Sequence, residues 1–176
     1  MGLATFIGGI HPFEGKELSE DKPIQILPPV QGEEMVFPLS QHIGAPARPL
    51  VKKGDQVLKG QIIAEAGGFI SANVICSVSG TVKGIESRLV ANGAMVDSIV
   101  VENDGQDNAA EGFGEKRDYT KLSKEEIRGI IKDAGIVGLG GAGFPTHVKL
   151  TPKDDAAIDT VIVNGAECEP YLTSDY

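Results

Sequence analysis

The chain has 176 residues, and 41% of them are hydrophobic, a share typical of a soluble globular protein that can bury a core. Its formal net charge of −9 at pH 7 argues against a basic surface for nucleic acid, so no nucleic-acid partner is expected. The two cysteines, Cys76 and Cys168, lie too far apart for a disulfide framework or a complete zinc or iron–sulfur site, so we expect no metal site.

The N-terminal third contains no targeting or membrane-spanning pattern. Residues 1–10 lack the basic start and the adequate apolar run of a secretory signal. No later stretch is long and apolar enough to cross a bilayer, so any membrane attachment is expected through partner proteins.

Prolines recur from Pro12 to Pro49, which rules out a long helix and predicts loops and short strands.

Residues 51–101 are predicted to form a compact all-β module. Their β-branched runs are short and are separated by pairs or single residues that favour turns. These predicted turns are Gly54-Asp55, Gly60, Gly67-Gly68, Ser79-Gly80 and Asn92-Gly93.

Residues 51–85 resemble the flattened β-barrel of biotinyl and lipoyl carrier domains. Such domains need a lysine at an exposed hairpin tip, because an amine must form the amide with the cofactor. Ile70 occupies that position, and no lysine lies between Lys59 and Lys83. We therefore predict an unmodified scaffold or docking barrel. A carrier domain is the disfavoured alternative, and a biotin or lipoyl adduct on the chain would be needed to support it.

A change of architecture is predicted near residue 120. Residues 104–120 are polar and glycine-bearing, which is typical of a linker. Beyond them, Ser123 and Glu126 form a potential capping box before apolar residues at helical spacing, and Gly135 supplies the stop. This pattern predicts a short amphipathic helix.

A glycine-rich loop follows this helix at residues 138–143, here called the glycine loop. Gly138, Gly140 and Gly143 fit the pattern G-x-G-x-x-G, but no strong strand precedes them, which disfavours a standard dinucleotide-binding fingerprint. The glycines, with Pro145 expected in the first turn of a second helix, instead predict a cradle of backbone N–H groups for an anionic ligand. A purely structural turn is the alternative.

The last predicted element is a buried parallel strand at residues 159–164. Glu167 and Glu169 follow it, at the sheet edge where open α/β folds bind ligands, and such carboxylates can accept hydrogen bonds from ribose hydroxyls or a nicotinamide amide. The alternative is a solvated acidic loop. Lys149 supplies a potential phosphate counter-charge, although an exposed lysine there is commonplace.

Four strings together carry a more specific resemblance: the start GGIHP at residues 8–12, PLSQHIGAPARPLVKKGDQVLKGQ at 38–61, GLGGAGFPTHVKL at 138–150 and NGAECEPYLTSD at 164–175. Over nearly the whole chain the sequence is similar to the C-subunit of the Rnf-type ion-translocating ferredoxin:NAD oxidoreductases. Residues 138–146 also resemble the glycine loop of the FMN- and NADH-binding subunit of respiratory complex I. The sequence departs from that complex I protein at Leu139 and Ala166, where an arginine and an aspartate stand in complex I.

The resemblance implies an α+β fold in three parts. Residues 1–103 would form a lipoyl/biotinyl-like barrel-sandwich module, 104–120 a linker, and 121–176 the start of an α/β domain that binds FMN and NADH. The glycines and Lys149 would contact the flavin, and the polar residues near the end of the chain would line the FMN and NADH pocket. The implied site residues are Gly138, Gly140, Gly141, Gly143, Phe144, Lys149, Asn164, Glu167 and Glu169.

The implied function is that of one protein in a membrane-bound electron-transport complex. It would lie peripherally on the cytoplasmic face of the cell membrane, with other subunits as partners and a ferredoxin-type electron chain as an indirect one. Electrons would pass between NADH and [4Fe-4S] clusters through FMN, with no catalytic side chain and with the clusters in a C-terminal part beyond this sequence. The chain is thus expected to be the front portion of a larger subunit, inactive alone in NADH oxidation. A non-catalytic docking module is the alternative.

Overall fold

A computed structural model describes residues 13, 15–164 and 172 of the chain. The chain divides into two compact units. The larger comprises Pro28–Asp155, and the smaller comprises Met1–Leu27 with Ala156–Tyr176. The larger unit contains all the strands and both α-helices of the described residues.

The larger unit begins with strands that pair antiparallel in two sheets. In chain order the strands are β1 (Glu34–Pro38), β2 (Arg48–Pro49), β3 (Gln56–Val57), β4 (Ile62–Glu65), β5 (Val74–Ile75), β6 (Gly80–Leu89) and β7 (Met95–Asn103). One sheet has the order β1-β7-β6-β3 and the other has the order β2-β4-β5. This arrangement confirms the predicted barrel-sandwich module.

The barrel core is made of aliphatic side chains from both sheets. Val57, Ile63, Val82, Ile99 and Val101 are all at most 1% exposed. Removing one such side chain from water stabilises the folded state by about 1.5–3 kcal/mol. The short β-branched runs that predict the module therefore supply the buried side chains of its core.

Two turns are predicted in the region of the β6–β7 hairpin, and the structure confirms one of these predictions and contradicts the other. Gly93, with φ +81°, donates its N–H to the Val90 carbonyl at the predicted Asn92-Gly93 turn. The predicted turn at Ser79-Gly80 is wrong, because Gly80 begins β6 opposite Asn103. A Cβ at Gly80 would collide with the Glu102 carbonyl oxygen, so the glycine permits a close approach of two strands.

The loop that replaces the carrier-domain lysine tip lies between β4 and β5. Phe69 is 79% exposed and Ile70 is 37% exposed, so neither side chain is packed in the core. The Ile70 carbonyl accepts a hydrogen bond from the Ala45 N–H at 3.0 Å, and a Cβ at Gly44 would collide with the same oxygen. The backbone of this tip is therefore held to the segment before β2.

Part of the predicted linker returns to the barrel. Lys59 exchanges backbone hydrogen bonds with Asn108 (2.9 Å) and Ala110 (2.8 Å), and its ammonium pairs with Asp107 at 2.7 Å. The Phe113 ring lies so close to Gly60 that a Cβ there would collide with it. The division at residues 103 and 120 stays a prediction.

Two α-helices follow, α1 (Lys124–Asp133) and α2 (Thr146–Lys149). The capping box is confirmed: Ser123 Oγ accepts from the Glu126 N–H, and the Glu126 carboxylate accepts from the Ser123 N–H at 2.7 Å. Gly135, with φ +65°, ends the helix as predicted. Pro145 takes the position before α2 rather than one inside its first turn.

The predicted buried strand at residues 159–164 is wrong. The structure assigns no strand there, and Val161, Ile162 and Val163 are 83–87% exposed. A parallel strand needs a neighbour to take up its backbone hydrogen bonds, and within the described residues none pairs with this run. The apolar run alone therefore does not make a strand, and the described part contains no parallel sheet. No helix in the described ranges has the length and apolar character needed to cross a membrane.

Candidate functional site

The glycine loop is closed by its own backbone into a narrow hairpin. The Gly138 N–H donates to the Phe144 carbonyl at 3.0 Å, and the Gly143 N–H donates to the Gly138 carbonyl at 3.2 Å. Val137 and Pro145 face each other in an antiparallel bridge just outside these bonds. These bonds therefore hold the two ends of the loop together, and residues 139–142 form its tip.

The N–H groups at the tip of the glycine loop have no acceptor in the part of the chain that the structure describes. Within the described residues, the amides of Leu139, Gly140, Gly141 and Ala142 donate no hydrogen bond. A Cβ added to Gly140 or Gly141 would meet no atom within 4 Å, so the backbone there is open to a ligand. Consecutive unpaired amides of this kind suit an anionic group.

A cavity of about 650 Å³ lies beside the loop, within the size range of small-molecule sites. Loop residues form one side of it, and the other side comes from residues 40–43 and 90–92, here called the barrel wall. The lining residues are Pro38, Ser40, Gln41, His42, Ile43, Val90, Ala91, Asn92, Gly138, Leu139, Gly141, Ala142 and Gly143. Among the described residues, none that lines the cavity is a carboxylate, although the chain carries a net charge of −9.

Lys149 brings a positive charge to the base of the loop. Its ammonium lies 3.1 Å from the point that a Cβ on Gly138 would occupy, and 5.9 Å from the centre of the Phe144 ring. Lys149 is exposed and forms no salt bridge within the described part of the chain. Its charge is therefore available to a ligand at the loop.

His42 fixes the barrel wall to the rest of the barrel. The ring is 7% exposed, Nε2 accepts the Ala72 N–H at 3.2 Å, and Nδ1 lies 3.1 Å from the Ile43 carbonyl oxygen. An Nε2 that accepts a hydrogen bond carries no proton, so the ring proton lies on Nδ1, which then donates to the Ile43 carbonyl. The ring is therefore held in one tautomer and one orientation.

His147, on α2 next to the loop, has a depressed pKa. Burial is the main cause because it disfavours the charged imidazole, and the positive charge of Lys132 adds to it. The His147 ring is therefore neutral at physiological pH, and the positive charge near the loop comes from Lys149.

The structure brings six of the predicted site residues together. Gly138, Gly141 and Gly143 line the cavity, while Gly140, Phe144 and Lys149 adjoin them without lining it. Asn164 belongs to the smaller unit and is an exposed residue. Glu167 and Glu169 lie outside the described residues.

Sequence reasoning missed the barrel wall. Gln41, His42 and Asn92 line the cavity from the other side, yet they lie far from the glycine loop in sequence. The local signal is the polar run from Ser40 to His42, which begins two residues after the end of β1. A run of three polar residues after a strand is ordinary, and only the folded chain shows what it faces.

Two family models match the chain. The model described as "RnfC Barrel sandwich hybrid domain" matches residues 4–106, and the model described as "Nuo51 FMN-binding domain" matches residues 131–176. The first covers more than half of the chain. The second begins inside α1 and includes the glycine loop, Lys149 and the residues up to the end of the sequence.

Curated relatives are similar over nearly the full chain. The C-subunit of the proton-translocating ferredoxin:NAD(+) oxidoreductase complex of Clostridium ljungdahlii is 48% identical over 99% of this chain and 38% of that protein. The Na(+)-translocating counterpart of Acetobacterium woodii is 46% identical over 98% of this chain and 38% of its own length. The C-subunit of the ion-translocating oxidoreductase complex of Rhodobacter capsulatus is 43% identical over 96% of this chain and 32% of its own length. The chain thus spans less than two fifths of the length of these relatives.

Proposed function

Because the chain belongs to the RnfC family, whose barrel-sandwich hybrid domain it carries at residues 4–106, we propose that it binds flavin mononucleotide in an ion-translocating electron-transport complex. The bound flavin would exchange electrons between NADH and iron–sulfur clusters. Relatives from Clostridium ljungdahlii and Acetobacterium woodii are named as subunits of ferredoxin:NAD(+) oxidoreductase complexes, and the proposal extends that activity to the present chain.

The observation that carries the proposal is the set of unpaired backbone amides at the tip of the glycine loop. The amides from Leu139 to Ala142 adjoin a cavity whose lining, within the described residues, includes no carboxylate, and the Lys149 ammonium lies at the base of the loop. Backbone N–H groups and a nearby cation are what a phosphate monoester needs, because each supplies positive charge without bulk. The residues present therefore fit FMN.

In this proposal the chain binds and orients, and the cofactor supplies the redox chemistry. Bound FMN can accept a hydride and release electrons one at a time, which a side chain cannot do. The amides of Gly140 and Gly141 would hold the phosphate, and Lys149 would neutralise it. Gly138 and Gly143 shape the loop through its closing hydrogen bonds, and Phe144 flanks the lysine.

The proposed NADH contacts come from residues near the end of the given sequence. Asn164, Glu167 and Glu169 are proposed to face NADH, on the strength of their place in the residues that match the FMN-binding domain model. The [4Fe-4S] clusters would lie in parts of the protein outside this sequence. As a peripheral protein on the cytoplasmic face of the membrane, it would bind other subunits of the complex and would meet a ferredoxin-type chain indirectly.

Titration of the chain with FMN tests the proposal. Gly141→Leu fills the cavity side of the loop where an added Cβ meets nothing, so it should abolish FMN binding while the fold survives. Gly129→Leu is the matched control, because Gly129 lies on α1, also has free space for a Cβ and does not line the cavity. Equal FMN affinity for wild type and Gly141→Leu would refute the proposal, as would the absence of binding to the wild-type chain.

A docking module is the second candidate. It is supported by Leu89 and Met95, which are paired across the end of the β6–β7 hairpin and are 70% and 61% exposed. Two large apolar side chains at the end of a long hairpin form a contact surface that another protein of the complex can cover. The FMN titration separates the two candidates, because a docking module has no need of the nucleotide.

A further inference from the structure

The cavity beside the glycine loop has two walls of different chemistry. The loop side offers backbone amides and glycine Cα atoms, whereas the barrel wall offers side chains. Its polar groups are the Ser40 hydroxyl, the His42 imidazole and the side-chain amides of Gln41 and Asn92, and its apolar ones include Ile43 and Val90. No residue of the barrel wall is an aspartate, glutamate, lysine or arginine.

The two walls are held at a fixed separation where they meet. A Cβ on Gly143 would lie 2.7 Å from the Gln41 carbonyl oxygen and 2.9 Å from the His42 Cα, so the two backbones touch. His42 is in turn bonded to Ala72 at its Nε2 atom. A ligand bound at the loop amides therefore also faces the barrel wall, because these contacts hold the two walls together.

The polar side chains of the barrel wall have unused hydrogen-bonding capacity. In the described part of the chain, the Ser40 hydroxyl and the Gln41 amide form no hydrogen bond. Asn92 uses its Oδ1 to accept the Ala94 N–H at 2.9 Å, which leaves the Nδ2 donors without a partner there. Neutral amides and a hydroxyl match the hydroxyls of a polyol and the carbonyl and imide groups of a flavin ring.

We propose that the barrel wall is the second half of the flavin site, with Gln41 and Asn92 binding the uncharged riboflavin portion of the FMN whose phosphate the glycine loop holds. This inference rests on the proposed function and deepens it. It assigns the barrel-sandwich module a direct part in cofactor selection, beyond a scaffolding or docking role. The division of labour follows from charge, since the cation and the free amides lie on the loop side and the neutral side chains on the barrel side.

The test compares FMN with riboflavin, which lacks the phosphate, on the 176-residue chain. Gln41→Leu keeps the size of the side chain but removes its amide, so it should weaken both ligands by a similar factor of at least about fivefold. Asn92→Asp keeps the Oδ1 that accepts from Ala94 but removes the Nδ2 donors, and should weaken both as well. Gln25→Leu, at an exposed position of the smaller unit, and Asn108→Asp, away from the cavity, are the matched controls.

Hydrogen exchange on addition of FMN gives an independent readout. The inference expects slower exchange of the amides in residues 40–43 and 90–92 together with those in 138–143. Protection of the glycine loop alone, with unchanged affinities of Gln41→Leu and Asn92→Asp, would overturn the inference and leave the proposed function standing. No protection anywhere and no binding of FMN to the wild-type chain would overturn both.

Discussion

The backbone of Gly143 lies directly against His42, with room for a hydrogen but not for a methyl group between them. Gly143 has φ +66°, and a Cβ there would come within 2.9 Å of the His42 Cα. Two separate constraints therefore require glycine at this position, the left-handed backbone and the contact with the barrel. The pattern G-x-G-x-x-G thus includes a glycine that joins the loop to the barrel as well as glycines that are open to a ligand.

Replacing Gly143 should damage this junction. Gly143→Ala incurs about 1–2 kcal/mol for the left-handed conformation and, in addition, a collision with backbone atoms that cannot rotate away. We expect a lower free energy of unfolding in urea and faster hydrogen exchange in residues 138–146. Gly140→Ala is the control for stability, because its Cβ would meet no atom and its φ is not positive. Equal stability of the two variants would show that the contact with His42 is not formed in solution.

The tautomer of His42 leads to a second prediction. His42→Asn keeps a donor near the position of Nδ1 but leaves the N–H of Ala72, a residue 1% exposed, without its acceptor. An unsatisfied buried donor costs about 1–3 kcal/mol, so the free energy of unfolding should fall by that amount. His42→Gln places a carbonyl oxygen near the position of Nε2 and should recover most of the loss. Chemical denaturation of the two variants is the measurement, and equal losses would contradict the assigned hydrogen bond.

Local sequence signals predicted the local structure correctly. The capping box of Ser123 and Glu126 and the glycine stop at Gly135 act within one or two turns of helix, so the residues that decide them are adjacent in sequence. The turn at Asn92-Gly93 is equally local. The compact all-β module of residues 51–101 is predicted from the same kind of signal, repeated over several short strands.

Non-local contacts could not be predicted in the same way. Gly80 looked like a turn residue, but the strand it approaches, β7, lies more than a dozen residues further on. The apolar run at residues 159–164 looked like a strand, but a strand exists only with a neighbour, and apolarity does not provide one. For the candidate site, the sequence located the glycine loop and Lys149, whereas the barrel wall depends on how two distant segments pack.

Lys149 provides a test of the electrostatic part of the site. Lys149→Met keeps much of the side-chain length and removes the charge beside Gly138, so the fold should survive and FMN affinity should fall. A hydrogen bond to a charged group contributes about 1.5–3 kcal/mol. Its loss should therefore raise the dissociation constant for FMN roughly ten- to hundredfold. Lys153→Met makes the same charge change at another exposed position and should leave FMN affinity unchanged. Lys149→Met should also remove much of the salt dependence of FMN binding, whereas its affinity for riboflavin should change little.

Asp155 should make the fold around α1 sensitive to acid. Its carboxylate accepts from Arg128 at 2.6 Å and pairs with Lys124 at 3.4 Å, and the hydrogen bond from Arg128 is the main reason that its pKa lies below the ordinary value. A carboxyl group with a depressed pKa in the folded state stabilises the protein above its unfolded pKa, and that contribution is lost as the pH falls through the folded pKa. An ordinary aspartate titrates at about pH 4, so the loss begins at about pH 5 and is complete only below the depressed pKa of the folded state.

Asp155→Asn is therefore expected to be less stable than wild type at pH 7, with a difference that shrinks as the pH is lowered from about 5 to below 4. The reason is that protonation removes from the wild type the same charge that the substitution removes at every pH. Urea denaturation at a series of pH values measures the difference. Asp159→Asn, at an exposed position without a salt bridge in the described residues, is the control and should track the wild type throughout. A stability gap for Asp155→Asn that stayed constant down to about pH 3 would show that the effect of the substitution is not due to the ion pair with Arg128.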